Sequence, residues 1–312
     1  MPIQSELYSL PEQSTTQPTN STVRLLYPAD SRPVRSGYAF VDSTIDQETG
    51  IHWWRLKADC PAKFTPEVVL ELRRFQTEFA ADMRRIAQEC GPDAVPGYHV
   101  LSSEIDGIFN LGGDLGYFYQ QIRNQDRAAL RRYARACVEL VYQNSIAMDL
   151  PMTTIALVKG NAMGGGMEAA LSAHIIVAER QVKMGLPEVL FNMFPGMGAY
   201  QFLSRRLTPK AAERLILGGK MYSAEELYEI GVVDHLAETG EGDQVVERLV
   251  RRERNQRGAA MALRKAIRAD NPVSRESLMD FVETWVDTAM SLDDNDLKHM
   301  QYLIRSQRCR GL

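Results

Sequence analysis

A run of glycines between an apolar segment and a helix-forming segment constrains this chain more than any other feature. The run lies within Gly160-Asn-Ala-Met-Gly-Gly-Gly-Met-Glu168, after the apolar residues 154–158 and before Ala-Ala-Leu-Ser172. This order predicts a strand, a tight turn at Gly164–Gly166 and a helix N-terminus. Glycines let another group approach the backbone closely, and the first N–H groups of a helix have no internal partner. The turn is therefore suited to receive negative charge.

Two glutamates accompany the glycine turn. Glu168 falls just inside the predicted helix, and Glu188 follows in Leu186-Pro-Glu188 behind a proline that restricts the backbone. Two carboxyl groups beside backbone donors are the groups needed to move protons on a carbon next to a carbonyl. A second glycine pair, in Phe109-Asn-Leu-Gly-Gly-Asp114, is either a further backbone donor or a turn in which Asp114 caps the next residues.

Composition places the chain among ordinary globular proteins. Its 312 residues are 45% hydrophobic and 24% charged with a net charge of −4, so it has no long-range attraction for nucleic acid or anionic lipid. No apolar run reaches the length of a membrane span and no charged-then-apolar signal pattern is present, which predicts a cytoplasmic location. Four scattered cysteines and five histidines lack ligand spacing, so we expect no metal, no disulfide framework and no cofactor.

Sequence patterns divide the chain into three predicted regions. Residues 1–33 are rich in Ser, Thr, Gln and Pro, which is typical of a disordered or loosely attached leader. Residues 34–241 alternate strand and helix patterns and predict an α/β core. Residues 242–312 carry helical patterns only, so we expect a C-terminal helical region.

Periodicity also predicts individual elements of the core. Residues 34–41 and 51–56 are predicted to form a hairpin, and Thr65-Pro66 is predicted to open a long amphipathic helix that ends near Cys90. A second long helix is predicted over residues 126–148. The adjacent residues Trp53 and Trp54 point to opposite faces of a strand, so we expect that they are not both turned inward.

Several motifs allow more than one interpretation. The segment Gly164–Ala169 satisfies the loose dinucleotide pattern G-x-G-x-x-A, but the acidic residue expected after the next strand is not clearly placed. The arginine-rich stretch 248–268 is either a solvated helix face or a docking patch for an acidic partner. Methionines cluster near the centre and indicate either adaptable core filling or a flexible wall for an aliphatic chain. They are Met163, Met167, Met184, Met193 and Met197.

Four spaced motifs together resemble the enoyl-CoA hydratase/isomerase (crotonase) superfamily over residues 109–236. They are Val158-Lys-Gly-Asn-Ala-Met-Gly-Gly-Gly-Met-Glu168, Leu186-Pro-Glu188, Phe194-Pro-Gly-Met-Gly198 and Gly231-Val-Val-Asp234. Three details are similar to one bacterial branch, the diffusible signal factor synthases, which make cis-2-unsaturated fatty acid signals. These are Phe109-Asn-Leu-Gly-Gly-Asp114, Leu190-Phe-Asn-Met-Phe-Pro195 and Gly196-Met-Gly-Ala-Tyr200.

The resemblance implies a fold and a set of site residues. The fold is a spiral of ββα units with C-terminal helices that join neighbouring subunits into homotrimers or hexamers. Glu168 and Glu188 match the paired catalytic glutamates, and Gly165 matches one donor of the oxyanion hole. Gly112 is assigned as the second donor, with Leu111 as the alternative one residue away. The expected acyl pocket contains Met163, Met197, Trp285 and Leu303.

The resemblance also implies a reaction and partners. The expected substrate is a 3-hydroxyacyl chain on acyl carrier protein, which would be dehydrated and then released by hydrolysis of the thioester as a cis-2-unsaturated acid. One alternative is a plain enoyl-CoA hydratase or isomerase that acts on acyl-CoA. An alternative of another class is a nucleotide-binding regulatory module that uses the glycine turn for phosphate. A sensor kinase receiver domain is the implied regulatory partner, and the sequence leaves open which glutamate is acid and which is base.

Overall fold

Ten strands and eleven α-helices make up residues 37–310, the part of the chain that the computed structural model describes. The predicted leader at 1–33 lies outside the described residues. The strands are β1 (Val41–Asp46), β2 (Ile51–Leu56), β3 (Tyr98–Ser103), β4 (Ile108–Asn110), β5 (Thr153–Val158), β6 (Asn161–Met163), β7 (Ile175–Glu179), β8 (Lys183–Gly185), β9 (Met221–Ser223) and β10 (His235–Ala237). The helices are α1 (Pro66–Cys90), α2 (Leu115–Arg123), α3 (Arg127–Ser145), α4 (Gly165–Leu171), α5 (Ala199–Leu203), α6 (Pro209–Gly218), α7 (Ala224–Glu229), α8 (Gly242–Glu253), α9 (Arg257–Asp270), α10 (Arg275–Met290) and α11 (Asp294–Arg310).

The strands form two sheets. The larger has the order β1-β2-β3-β5-β7-β10, and the smaller has the order β4-β6-β8-β9. The large sheet is parallel except for the β1–β2 hairpin, whose first strand begins at Val41, later than the predicted 34–41. Parallel neighbours require crossover connections, which here contain the helices. The predicted α/β fold class with a helical C-terminal region is confirmed.

Both faces of the large sheet are covered, and this overturns one expectation. Trp53 and Trp54 point to opposite faces of β2, yet their exposed fractions are only 7% and 1%. Trp54 packs in the main core with α1, whereas Trp53 packs in a second core with Val246 and Leu249 of α8. The prediction that they are not both turned inward was wrong because α8 supplies a second apolar layer.

Local helix signals act where the sequence predicts them. Thr65 caps α1 by accepting from the N–H of Val68, with Pro66 at the first helical position. Asp114 caps α2 by accepting from the N–H groups of Gly116 and Tyr117. Such caps satisfy N–H groups that a helix leaves unpaired. They also fix the starting points of α1 and α2.

The glycine run forms the connection from β6 into α4. Gly164 has a φ of +52°, a conformation that favours glycine, and its N–H donates to the carbonyl of Gly185 at 2.8 Å. A Cβ on Gly166 would lie 2.1 Å from the carbonyl oxygen of Asn110. Only a glycine lets α4 pack so closely on β4. The small sheet and α4 are thereby held together at the point where the two glutamates converge.

Candidate active site

A cavity of about 90 Å³ opens at the N-terminus of α4. Seven of the eight residues predicted for the site line it: Met163, Gly165, Glu168, Glu188, Met197, Trp285 and Leu303. They come from α4, the segments on either side of it, and the C-terminal helices α10 and α11. The eighth, Gly112, is not part of the lining.

Glu168 is a buried carboxylate held by backbone donors. It lies in the first turn of α4 with an exposed fraction of 1%. Its Oε1 accepts from the N–H of Met197 at 2.7 Å and from the N–H of Ala199 at 2.9 Å. Burial raises the pKa of Glu168 to about 7, and the two N–H donors oppose that rise because they stabilise the ionised form. The ionised form of Glu168 is thus favoured by its two donors and opposed by burial.

Glu188 has a different environment. It begins a short 3₁₀ turn, Glu188–Phe191. Its Oε2 is buried and has no hydrogen-bond partner among the described residues, while its Oε1 lies so close to Gly164 that a Cβ there would be 2.6 Å away. Burial and the neighbouring charge of Glu168 hold the pKa of Glu188 well above its usual range. Glu188 thus keeps its proton more readily than Glu168.

Backbone N–H groups face the same space. Gly165 is the first residue of α4, so its N–H has no partner within the helix. The N–H of Gly112 donates to the side chain of Asn110 at 2.7 Å, and that of Leu111 donates to Ala62 at 2.7 Å. Neither of the two predicted second donors is therefore presented to the cavity.

Gly112 and Gly113 both lie beside Gly165, since the Gly112 Cα and the Gly113 nitrogen are each 3.5 Å from where a Cβ on Gly165 would project. Of the two, Gly113 lines the cavity. The side chain of Asn110 occupies the N–H of Gly112, the predicted second donor. An N–H group that donates to a side chain of its own loop is not directed at the cavity.

The family profile of enoyl-CoA hydratase/isomerase matches residues 73–291 of the sequence, which is more than half of the chain. The chain belongs to this family. The mitochondrial methylglutaconyl-CoA hydratase of Rattus norvegicus is 34% identical over 145 residues, which cover 46% of this chain and 44% of the relative. The match thus spans less than half the length of this curated relative.

Solved enoyl-CoA hydratase structures share the fold. A putative enoyl-CoA hydratase from Streptomyces avermitilis has a TM-score of 0.65 with 21% identity over 88% of this chain and 92% of its own. The enoyl-CoA hydratase from Bacillus halodurans has a TM-score of 0.66 with 19% identity over 85% of this chain and 100% of its own. At these identities the likeness concerns the fold alone.

The rest of the cavity in this enoyl-CoA hydratase/isomerase family member is apolar. Trp285 packs edge-on against Phe118 with ring centroids 5.1 Å apart, and a Cβ on Gly196 would lie 2.6 Å from the Trp285 ring. Further lining residues that the sequence prediction omitted include Leu115, Phe118, Tyr133 and Phe191, and Met193 of the predicted methionine cluster also lines the cavity. The spacing of Leu115, Phe118 and Ile122 after the Asp114 cap is the sequence signal for the buried face of α2.

Apart from the glutamates, the cavity contains one ionisable thiol, that of Cys137. Burial raises the pKa of the Cys137 thiol, which lines the cavity, to about 12. Within residues 37–310, no three His, Cys, Asp or Glu side chains are grouped as metal ligands. No helix in that part of the chain combines the length and apolar composition needed to cross a bilayer. The paired glutamates are the groups of the cavity that are suited to proton transfer.

Proposed function

We propose that this protein adds water reversibly across the C2–C3 double bond of an acyl thioester. Its membership of the enoyl-CoA hydratase/isomerase family supports this reaction class. The observation that carries the proposal is the asymmetry of two neighbouring carboxyl groups. Glu168 is stabilised as a carboxylate by two N–H donors, whereas Glu188 is buried beside that charge with its Oε2 lacking a hydrogen-bond partner among the described residues.

The asymmetry assigns a role to each glutamate. In hydration, ionised Glu168 takes a proton from the water that attacks C3, and protonated Glu188 delivers a proton to C2. The thioester oxygen carries negative charge between these events and accepts from the N–H group of Gly165, the first residue of α4. Loss of one such donor typically costs about 3 kcal/mol of barrier. Elimination of water runs through the same groups with the protonation states exchanged.

The position of Glu188 agrees with protonation at C2. Its Oε1 lies against Gly164, the residue before the proposed oxyanion donor Gly165. A thioester oxygen bound at Gly165 places the adjacent carbon near that carboxyl group. Purified protein should therefore hydrate a 2-enoyl-CoA, and the loss of absorbance of the conjugated thioester measures it. A protein that binds acyl-CoA but leaves the double bond unchanged would refute the proposal.

The signal-synthase reaction is a finer candidate within the same chemistry. The similarity of residues 109–114 and 190–200 to the diffusible signal factor synthases favours it, and the apolar lining suits an aliphatic acyl chain. It requires dehydration of a 3-hydroxyacyl thioester on acyl carrier protein, followed by attack of water on the thioester. Mass spectrometry separates the two: a free cis-2-unsaturated acid supports signal synthesis, and an equilibrium of enoyl-CoA and 3-hydroxyacyl-CoA supports a plain hydratase.

Nucleotide binding at the glycine turn is disfavoured by charge. Two buried carboxyl groups, Glu168 and Glu188, face the corner at which a phosphate would have to lie. A phosphate would then meet negative charge in a poorly solvated site. This alternative would be supported if the protein bound NAD or ATP tightly in competition with acyl-CoA and had no activity on thioesters.

The C-terminal helices support two further parts of the prediction. Helix α9 has no buried residue and exposes Leu263 and Ile267 by 61% and 54%, which favours assembly with other subunits. The family resemblance implies trimers or hexamers, which light scattering should find.

Carrier docking on the arginines of α8 is less favoured. Helix α8 covers one face of the large sheet, and the core that contains the cavity residues Met197 and Trp285 lies on the opposite face. Charge reversal at Arg248 and Arg252 that leaves activity on carrier-bound substrate unchanged would exclude such docking.

A further inference from the structure

A second cavity lies at the opposite end of α4 from the glutamates. Its volume is about 680 Å³, within the usual range for small-molecule sites. Its walls are the segment that follows α4, the connection between α5 and α6, the turn before β10 and the C-terminal half of α9. The charged residues in its lining are Arg205, Arg206, Arg264, Arg268, Asp234 and Asp270. Cations in the lining therefore outnumber anions by two.

Two of the four arginines are fully engaged by the protein. Arg206 donates to the carboxylate of Asp234 at 2.8 Å and also to carbonyl oxygens that include that of Ala173 at 3.0 Å. Arg264 forms two hydrogen bonds with the carboxylate of Glu253, at 2.6 and 2.9 Å. These two guanidinium groups hold the walls of the cavity in place.

The other two arginines have no carboxylate partner within residues 37–310. Arg268 donates to one carbonyl oxygen, that of Ile146, at 3.4 Å. Arg205 is partly buried, and burial together with the charges of Arg206 and Arg268 lowers its pKa. Like charges gathered in a partly desolvated space are unfavourable unless an anion compensates them.

His174 adds a directed donor to the same cavity. Its Nδ1 accepts the N–H of Thr154 at 3.0 Å. A backbone amide can only donate, so Nδ1 carries no proton and the proton of the neutral ring is on Nε2. This Nε2 is buried and has no hydrogen-bond partner among the described residues. A buried N–H donor without an acceptor costs stability until a ligand supplies one.

We infer that this cavity binds the phosphate group of a small organic phosphate. Arg205 and Arg268 supply two cationic forks, and His174 Nε2 supplies a neutral N–H donor, which together suit the several acceptor oxygens of a phosphate. The apolar side chains of Phe202, Leu171 and Val273 also line the cavity. They provide a surface for the organic part of the ligand, such as a nucleobase. The site uses no residue of the active site.

Isothermal titration calorimetry with AMP and with pyrophosphate at constant ionic strength tests this inference. We expect saturable binding of both probes by the wild-type chain. Arg205→Gln and Arg268→Gln should each weaken the binding by roughly tenfold or more, because each removes a charge-assisted hydrogen bond. Arg205→Lys should weaken the binding less than Arg205→Gln, since it keeps the charge but loses the guanidinium fork.

The matched control is Arg248→Gln. Arg248 is an exposed arginine of α8 outside the cavity, so this substitution removes the same charge and should leave both affinities unchanged. Arg205→Gln also relieves repulsion from Arg206 and Arg268, so the ligand-free variant should unfold at or above the wild-type temperature. Absence of saturable binding of both probes, or equal weakening by Arg248→Gln, would overturn the inference.

Discussion

Replacement of Glu188 by Gln is the substitution that separates the roles of the two glutamates most directly. Gln has nearly the same shape, so the cavity stays filled, but it cannot release a proton to C2. Removal of a positioned general acid costs about 100- to 10,000-fold in rate, which corresponds to about 2.7–5.4 kcal/mol. We expect the loss in kcat, with a small change in KM, because the side chain acts in the transition state.

The pH dependence of the rate gives this prediction a second readout. The wild-type enzyme needs Glu168 ionised and Glu188 protonated. Its rate should therefore fall on the acid side near the pKa of Glu168, about 7, and on the alkaline side near the raised pKa of Glu188. Glu188→Gln should lose the alkaline limb and keep the acid limb, because Glu168 still has its two backbone donors.

Glu168→Gln is the matched variant. It should lose the acid limb, and removal of its charge should lower the pKa of Glu188, because that charge is one cause of the rise. Initial rates of hydration of a short 2-enoyl-CoA, measured across the pH range for the three proteins, test both effects. A Glu188→Gln enzyme that hydrates at near wild-type rate, or keeps the alkaline limb, would refute the assignment.

Three further predictions concern the cavity and the core. Gly165→Ala should reduce kcat/KM by about 100-fold, because the new Cβ would lie 2.7 Å from the Sδ of Met197. Adding Met197→Ala should restore much of the rate. Gly166→Ala should not be rescued by Met197→Ala, because its Cβ meets a backbone oxygen instead. Trp285→Ala should lower the free energy of unfolding by about 3–5 kcal/mol, measured by urea denaturation, and shift kcat/KM toward longer acyl chains. His99→Gln should reduce the loss of stability in acid, because burial lowers the pKa of His99 to about 3.

The sign of the histidine effect follows from proton uptake. Below about pH 6.5 the unfolded chain protonates this ring while the folded chain does not, so the wild type loses about 1.4 kcal/mol per pH unit from this group. The loss continues as the pH falls toward the folded value. The readout is the difference in slope between wild type and His99→Gln, which includes the change at the neighbouring His52, whose pKa is lowered by burial and partly by His99. Parallel slopes would contradict the prediction, as would an unrescued Gly165→Ala or an unchanged chain-length preference in Trp285→Ala.

Features set by neighbouring residues were predictable from the sequence. The cap at Thr65 with Pro66 defines the start of α1, and the glycine run marks the β6–α4 connection. These signals act within one helical turn, so a single sequence contains them in full. The two glutamates were singled out for the same reason, since each follows its own local motif.

Features set by distant residues were not predictable in this way. The burial of Trp53 depends on α8, which follows much later in the chain. The N–H of Gly112, the predicted second donor, is bound by the side chain of Asn110, which the glycine pattern alone does not reveal. The difference between Glu168 and Glu188 depends on amides 29 and 31 residues beyond Glu168. Local patterns identify which residues are present but do not determine how tertiary contacts orient them.

The hydrogen bonds from Met197 and Ala199 to Glu168 link two properties that an enzyme would benefit from adjusting separately. The same short loop lines the cavity and influences the basicity of Glu168, the proposed proton acceptor. Any change of backbone position there, whether from a new side chain or from a bulkier substrate, alters both together. Variants of this loop that are selected for a different acyl chain length will therefore show displaced pH optima. A change of chain-length preference at an unchanged pH optimum requires substitutions in a part of the cavity that does not bind Glu168, such as α10.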